Sequence, residues 1–280
     1  MRIAVTGASG FIGRHVLTQL ASDDNEIVAV TRDAKHLADF SNRVLVREMD
    51  IGLLPDDVFD LLGRPDVLVH LAWDGLPNYK SLRHFETELP LQYCFLRTVV
   101  AGGLRSLVVT GTCFEYGIQH GPLSEDLPTM PNNPYGHAKD ALRRQLEFLQ
   151  RIHSFNLTWA RLFYMYGEGQ ALSSLYPQLE QAVTRGDSQF NLSGGEQLRD
   201  YLPVHQVAGY LVSLALAQTN AGVVNVCSGR PTSIRTLVEG WLKENHWQIQ
   251  LNFGCYPYPD HEPMAFWGDR RRLDDILQAS

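Results

Sequence analysis

MRIAVTGASGFIGRHVLTQL, residues 1–20, is the stretch that decides the fold. Residues 1–6 form a short apolar run suited to a buried strand, and glycines follow at positions 7, 10 and 13. Gly7 permits a tight turn out of the strand, Gly10 lets backbone approach a ligand closely, and Gly13 lets the next helix lie against the strand. The first turn of a helix has N–H groups without intrahelical acceptors, so a helix opening here aims them at an anion. Strand, glycine-rich turn and helix in that order predict a pyrophosphate cradle built from Gly7, Ser9, Gly10, Phe11, Ile12 and Gly13. The spacing is G-x-x-G-x-x-G, a variant of the commoner G-x-G-x-x-G.

Downstream, apolar runs and helical periodicity alternate. A second strand over 26–31 ends in Thr31-Arg32-Asp33. NAD-binding units place an acid at that strand end to hold the ribose 2′-hydroxyl; Thr31 with Arg32 suits a 2′-phosphate instead, so NADP(H) is favoured over NAD(H). The opposing possibility is that Asp33 serves as the ribose acid. A strand over 44–46 leads to Asp50-Ile51, an adenine-contact turn, and 66–72 reads as a fourth strand in which His70 is a hydrogen-bonded core residue. A helix over 85–100, a strand over 105–110, a helix over 138–150 and a strand over 156–162 complete the series. The alternation predicts an α/β, Rossmann-type doubly wound parallel sheet over residues 1–166. From 167 to 280 the pattern loosens into a smaller C-terminal substrate-binding lobe of mixed α/β type, with helical runs at 173–184, 204–216 and 234–243 and strands at 223–226 and 248–253. The chain is free to cross between the two.

The chemistry is read from residues 110–139. Thr112 falls just past a strand end, and Tyr135 and Lys139 are four apart, on one face of a helix. A phenol has a pKa near ~10. An adjacent ammonium favours the phenolate and lowers that value. With Thr112 bonded to the same oxygen, the trio suits moving a proton on or off an alcohol while a hydride leaves or reaches its carbon. Arg199 is positioned to grip a phosphate, or to pair structurally with Asp200.

Composition narrows the class. A net charge of -7 gives no electrostatic case for nucleic acid or an anionic membrane. No apolar run reaches the ~18 residues of a membrane span, and the chain opens on a strand rather than a signal peptide. Cys94, Cys113, Cys227 and Cys255 are scattered without metal-ligand spacing, so no metal is expected. Reduced thiols of this kind fit a cytoplasmic enzyme.

Taken together, these residues resemble the extended short-chain dehydrogenase/reductases, specifically the nucleotide-sugar epimerase/dehydratase group. The anchors run nearly the whole length: the 7-10-13 glycines, Asp50-Ile51, His70-Leu71-Ala72, Thr112, Tyr135 with Lys139, Arg161-Leu162-Phe163, Arg199-Asp200-Tyr201, and Asn225 with Ser228-Gly229. The resemblance implies that Tyr135 is the acid/base, that Lys139 holds ribose hydroxyls and tunes Tyr135, and that Thr112 orients the sugar oxygen. It further implies that Leu71, Ala72 and Phe163 meet the cofactor, that Tyr164 and Arg199 meet the substrate, and that the helices over 85–100 and 138–150 pair across a two-fold axis into a homodimer through a four-helix bundle. Departures matter as well. Cys113 and Phe114 stand where family dehydratases carry Asp-Glu, which disfavours dehydration. The helix near Glu88 lacks the usual Asn, and Tyr164 replaces another Asn. The stretch LAWDGLP, residues 71–77, is similar to deoxysugar 4-ketoreductases of the dTDP-fucose type, enzymes of deoxysugar and polysaccharide biosynthesis. The expected function is NADPH-dependent reduction of a 4-keto-6-deoxy sugar nucleotide. The alternatives are an NAD-dependent nucleotide-sugar 4-epimerase and a non-enzymatic dinucleotide-binding regulator, the latter disfavoured by the intact Thr112, Tyr135 and Lys139.

Overall fold

The computed structural model describes residues 1–21, 25–53, 55, 57–258 and 263–279. His261 and Glu262, to which the sequence assigned no role, lie outside the described residues. In chain order the principal elements are β1 (Arg2–Thr6), α1 (Phe11–Leu20), β2 (Glu26–Thr31), β3 (Leu45–Glu48), β4 (Val67–His70), α2 (Leu89–Ala101), β5 (Ser106–Thr112), α3 (Pro134–Leu149), β6 (Asn156–Leu162), α4 (Leu175–Arg185), α5 (Val204–Ala217), β7 (Gly222–Val226) and α6 (Ile234–Glu244).

The seven strands form one parallel sheet in the order β7-β6-β5-β4-β1-β2-β3. The order in which successive strands are added reverses between β1 and β4, which opens a crevice at their C-terminal ends, the place where such sheets hold ligands. Thr6 pairs with His70 in that register, so the glycine-rich turn and the segment after His70 stand side by side. Both faces of the sheet are covered, as a parallel sheet requires. Ile3 and Val5 of β1 pack with Val16, Leu17 and Leu20 of α1 and with Leu211 of α5, while Ala4 faces Phe95 and Leu96 of α2 and Leu142 and Leu146 of α3.

The chain crosses back to the sheet after its first pass through the smaller lobe. The helical run and strand read at 204–216 and 223–226, grouped by sequence with that lobe, are α5, which packs on α1, and β7, which pairs with β6. Periodicity identifies a strand but not its partner, so this long-range pairing had no local signal. The smaller lobe has its own core of Leu179, Leu192, Ile234, Val238 and Trp241. Its strand predicted at 248–253 contracts to Gln250–Asn252, paired with Gln189–Asn191.

Two helix boundaries also move. The helix read from residue 138 begins at Pro134, because the Asn133 Oδ1 accepts from the Gly136 N–H at 2.8 Å and proline is tolerated in the first turn. The helix read over 85–100 splits into a π-type turn at His84–Glu88 followed by α2.

Glu115 pins the C-terminal end of β5. Its side chain is fully buried and accepts from the Thr112 N–H at 2.8 Å, from Trp159 Nε1 at 3.0 Å and from Arg161 Nε at 2.6 Å. Removing one partner of a buried ion pair leaves the other charge uncompensated and costs about 3–5 kcal/mol, whereas an exposed pair is worth ~1 kcal/mol or less. Glu115→Ala is therefore expected to lower the unfolding free energy by about 3–5 kcal/mol in denaturant titrations. Glu26→Ala, at the exposed Arg2–Glu26 pair, should change it by ~1 kcal/mol at most.

Candidate active site

Two adjoining cavities occupy the crevice. A groove of about 450 Å³ is lined by the 7–10 turn, by Thr31 and Arg32 at the end of β2, by Asp50 and Ile51, by Leu71 to Asp74, and by Arg83, Glu88 and Gln92. A cavity of about 370 Å³ continues from it, lined by Gly7 to Gly13, Thr112, Phe114, Tyr135, Phe163 and Tyr164. Gly7, Gly10, Leu71 and Trp73 border both. The structure thus brings together the candidate residues Gly7, Ser9, Gly10, Phe11, Ile12, Gly13, Arg32, Asp50, Ile51, Leu71, Ala72, Thr112, Tyr135, Phe163 and Tyr164 along one track. Lys139 and Arg199 stand behind its walls.

The first part of this track fits a dinucleotide. A Cβ on Gly7 (φ +67°) would meet the Ala72 nitrogen at 2.7 Å, and one on Gly13 would meet the Gly7 carbonyl at 2.3 Å, so both positions require glycine. Gly10 caps α1 without any side chain, which leaves the first N–H groups of the helix directed at the turn. Thr31 Oγ1 and Ser9 Oγ lie 3.0 Å apart at the end of β2. Asp33 is not folded back toward the ribose position; its carboxylate accepts from the Lys35 N–H at 2.9 Å as a helix cap. Asp50 accepts from the Gly52 N–H, a turn that presents Ile51 to the groove. The Arg32 guanidinium lies on the rim, 3.7 Å from the Asp74 carboxylate.

At the other end, Thr112 caps the turn 113–116: its Oγ1 accepts from the Phe114 N–H at 3.3 Å. The hydroxyl proton remains available to a substrate oxygen. Tyr135 is boxed by rings, with centroids of His84, Tyr79, Trp73 and Phe114 at 5.2, 5.5, 5.9 and 6.5 Å. Burial is the main cause that pushes the phenol above its ordinary pKa, with Tyr79 and Glu115 adding to it. This is opposite to the lowering expected from Lys139: loss of hydration dominates. Lys139 is buried, its Nζ donating to the Thr110 carbonyl at 2.9 Å and lying 4.1 Å from the centroid of Trp73. Desolvation brings it down to about 7, against the pull of Glu115 and Glu88.

Several residues here had no signature of their own. Trp73 Nε1 donates to His84 Nδ1 at 3.0 Å, and His84 Nε2 donates to the Asn78 carbonyl at 2.8 Å, which fixes the neutral tautomer. Phe266, from the far end of the chain, stands 5.9 Å from Tyr164 and beneath the Arg199 guanidinium at 4.6 Å. Arg199 Nη1 also donates to the Leu198 and Met264 carbonyls. Asp200 accepts from the backbone N–H groups of Ser228, Gly229 and Gly268, so it ties the lobe's loops together.

The fold and the site agree with a family assignment. Residues 3–227 match the model of the NAD dependent epimerase/dehydratase family. The chain belongs to that family. It is 30% identical over 270 residues to a dTDP-6-deoxy-L-talose 4-dehydrogenase (NAD(+)) of Aggregatibacter actinomycetemcomitans, covering 96% of this chain and 99% of that one. It is 23% identical to a UDP-glucose 4-epimerase of Bacillus subtilis (strain 168), covering 100% and 96%. A UDP-N-acetylglucosamine 4-epimerase from Methanobrevibacter ruminantium M1 superposes with a TM-score of 0.86 at 22% identity, covering 98% and 91%, which bears on the fold. The family assignment sets aside the non-enzymatic alternative. Among the described residues no helix is long and apolar enough to cross a membrane, and none of the four cysteines is in a disulfide.

His70 is the core residue the sequence suggested. Gln92 Nε2 donates to Glu88, so its Oε1 accepts from His70 Nε2 at 2.8 Å, and His70 Nδ1 accepts from the Thr6 hydroxyl at 2.8 Å. Burial, reinforced by Lys139, lowers its pKa from 6.5 to about 3. Between those values the unfolded chain carries the extra proton, so stability falls as pH falls through the window. The unfolding free energy should decline by up to about 1.4 kcal/mol per pH unit below pH ~6 from this group. His70→Asn, less stable at neutral pH, should show a shallower slope.

Proposed function

We propose that the chain interconverts a 4-keto and a 4-hydroxy group on a 6-deoxyhexose carried by a nucleoside diphosphate, with reduction as the working direction. The observation that carries this reading is the lining of the 370 Å³ cavity. Trp73, Leu76, Pro77, Tyr79, Phe114 and Met165 surround Tyr135 and Thr112, and among the described lining residues there is no carboxylate, imidazole, ammonium or guanidinium. A methyl group at C6 is at home against such walls, whereas a hydroxyl or carboxylate there loses its hydrogen bonds to water. Removal of water from the sugar needs a second acid/base at the reacting carbons, and Phe114 offers none. The similarity to a 6-deoxytalose 4-dehydrogenase, end to end in both chains, supports the same substrate class.

A bound nicotinamide supplies or accepts the hydride at C4. Tyr135, held protonated by its burial, donates its proton to the C4 oxygen, while Thr112 donates a hydrogen bond to that oxygen. Lys139, in its protonated form, places positive charge behind the phenol as negative charge develops on the oxygen. Arg199, beyond Phe266, is assigned the diphosphate. The NADP(H) preference expected from Thr31-Arg32 finds no support among the relatives, and Arg32 already faces Asp74. We assign NAD(H) as the working dinucleotide.

The test is an assay of NADH oxidation with a dTDP-4-keto-6-deoxyhexose. Stoichiometric formation of the 4-hydroxy sugar supports the reductase. Inversion at C4 of a sugar nucleotide without net NADH consumption, from protein that retains NAD on purification, would instead establish the 4-epimerase reading that the full-length likeness to UDP-glucose 4-epimerase keeps open. Tyr135→Phe should leave dinucleotide affinity within about twofold and cut turnover by ~10²–10⁴; turnover near wild type removes Tyr135 from the chemistry.

For assembly, we propose a homodimer through α2 and α3, which pack side by side. Phe148 and Ile152, at and just beyond the end of α3, are 58% and 78% exposed. Light scattering at micromolar concentration should give twice the chain mass, and Phe148→Glu should shift it toward the monomer.

A further inference from the structure

We propose that Asp74 sets the choice between the two nicotinamide dinucleotides, by engaging the guanidinium groups that a 2′-phosphate would need. The proposal rests on the dinucleotide reading of the groove and is independent of the sugar chemistry. β2 and β4 flank β1 in the sheet, so Arg32, just after β2, and Asp74, four residues beyond β4, face each other across the glycine-rich turn. Asp74 Oδ2 lies 3.7 Å from Arg32 Nη1 and 2.9 Å from Arg83 Nη2. The same Arg83 nitrogen lies 3.3 Å from Glu88 Oε1, a carboxylate that is itself 3% exposed. All four side chains border the groove that holds Ser9 and Thr31.

Asp74 and Glu88 offset the two guanidinium groups on this rim, and Asp50 adds a third carboxylate to the groove. A 2′-hydroxyl asks nothing of such a rim. A 2′-phosphate, largely dianionic near neutral pH, must draw the guanidinium groups from Asp74 and lie close to its negative charge. The local sequence Thr31-Arg32 reads as a phosphate site because it shows the cation alone. The fold supplies the counter-charge from 42 positions along the chain.

Binding of NADH and NADPH is measured separately by titration calorimetry, with no substrate present. Wild type should bind NADH more tightly. Asp74→Asn retains an oxygen for the bond that Asp74 Oδ1 now accepts from the Gly75 N–H, and keeps the turn. It should tighten NADPH about 2- to 5-fold, the scale of exposed charge pairs, and leave NADH within about 1.5-fold. Adding Arg32→Ala to Asp74→Asn should erase that gain, and salt near 1 M, where the screening length is about 3 Å, should shrink it. Arg83→Gln, which leaves Asp74 to Arg32 alone, should weaken NADPH by a larger factor than it weakens NADH, and gives an independent reading should Asp74→Asn fold poorly. Equal changes in both cofactors, or an unchanged NADPH affinity in Asp74→Asn, would overturn the proposal. Tighter NADPH than NADH binding in wild type would overturn it as well, while leaving the Tyr135 chemistry untouched.

Discussion

The Glu115 carboxylate is fully buried, and a buried charge persists only where donors replace the water it has lost. Here the donors are the Thr112 backbone, the Trp159 indole and the Arg161 guanidinium, drawn from β5 and the neighbouring strand β6. Satisfying one charge therefore fixes three things together. The last residue of β5 is capped, the side chain of Thr112 is turned toward the cavity wall, and the C-terminal ends of two strands are locked in register. Arg161 completes the arrangement by lying over the Tyr116 ring at 4.5 Å. The same carboxylate offsets part of the desolvation of Lys139. Remove it, and both the ammonium behind the phenol and the hydroxyl beside it lose the framework that holds them.

Most of the sheet was legible because a parallel strand buried on both faces announces itself as an apolar run, and a strand–glycine–helix junction has few other uses. The strand read at 156–162 coincides with β6, and those read at 26–31 and 66–72 lie on β2 and β4. The start of α3 was legible too, in Asn133-Pro134, but the apolar stripe from Ala138 onward drew the boundary four residues late. Periodicity needs several turns before it registers, whereas a cap is a single residue. The assignment of β7 to the sheet was beyond reach for a different reason: pairing between residues 158–162 and 222–226 leaves no trace in either segment alone.

The site was legible where chemistry demands particular residue types at fixed spacing, and illegible where it depends on what surrounds them. Tyr135 and Lys139 are four apart by sequence and share a helix face, yet spacing gave the wrong direction for the phenol. Whether an ammonium or dehydration controls a pKa depends on how many rings close over the group, and Trp73, Tyr79 and His84 come from the segment between β4 and α2 while Phe114 comes from the turn after β5. Arg32 repeats the lesson with charge. An isolated cation in sequence is half of an interaction, and its sign at the groove depends on a carboxylate that only the fold brings near.

A common design links these features. The residues lining the reaction cavity are neutral, and the charges stand one layer back: Lys139 behind Tyr135 and Trp73, Glu115 and Arg161 beneath Thr112. In a cavity of low polarity, an oxygen that gains negative charge feels an ammonium a layer away more strongly than it would in water. Charges lining the cavity directly would draw water in and weaken that field. In the proposed reduction Tyr135 is a proton donor that remains neutral at rest in such surroundings, because burial raises its pKa rather than forcing ionisation. A protonated phenol is the form a ketone needs. In the proposed reduction the resting enzyme already holds the proton it must give, and the apolar walls to which the proposal assigns selection of a methyl-bearing sugar are the same walls that keep that proton in place.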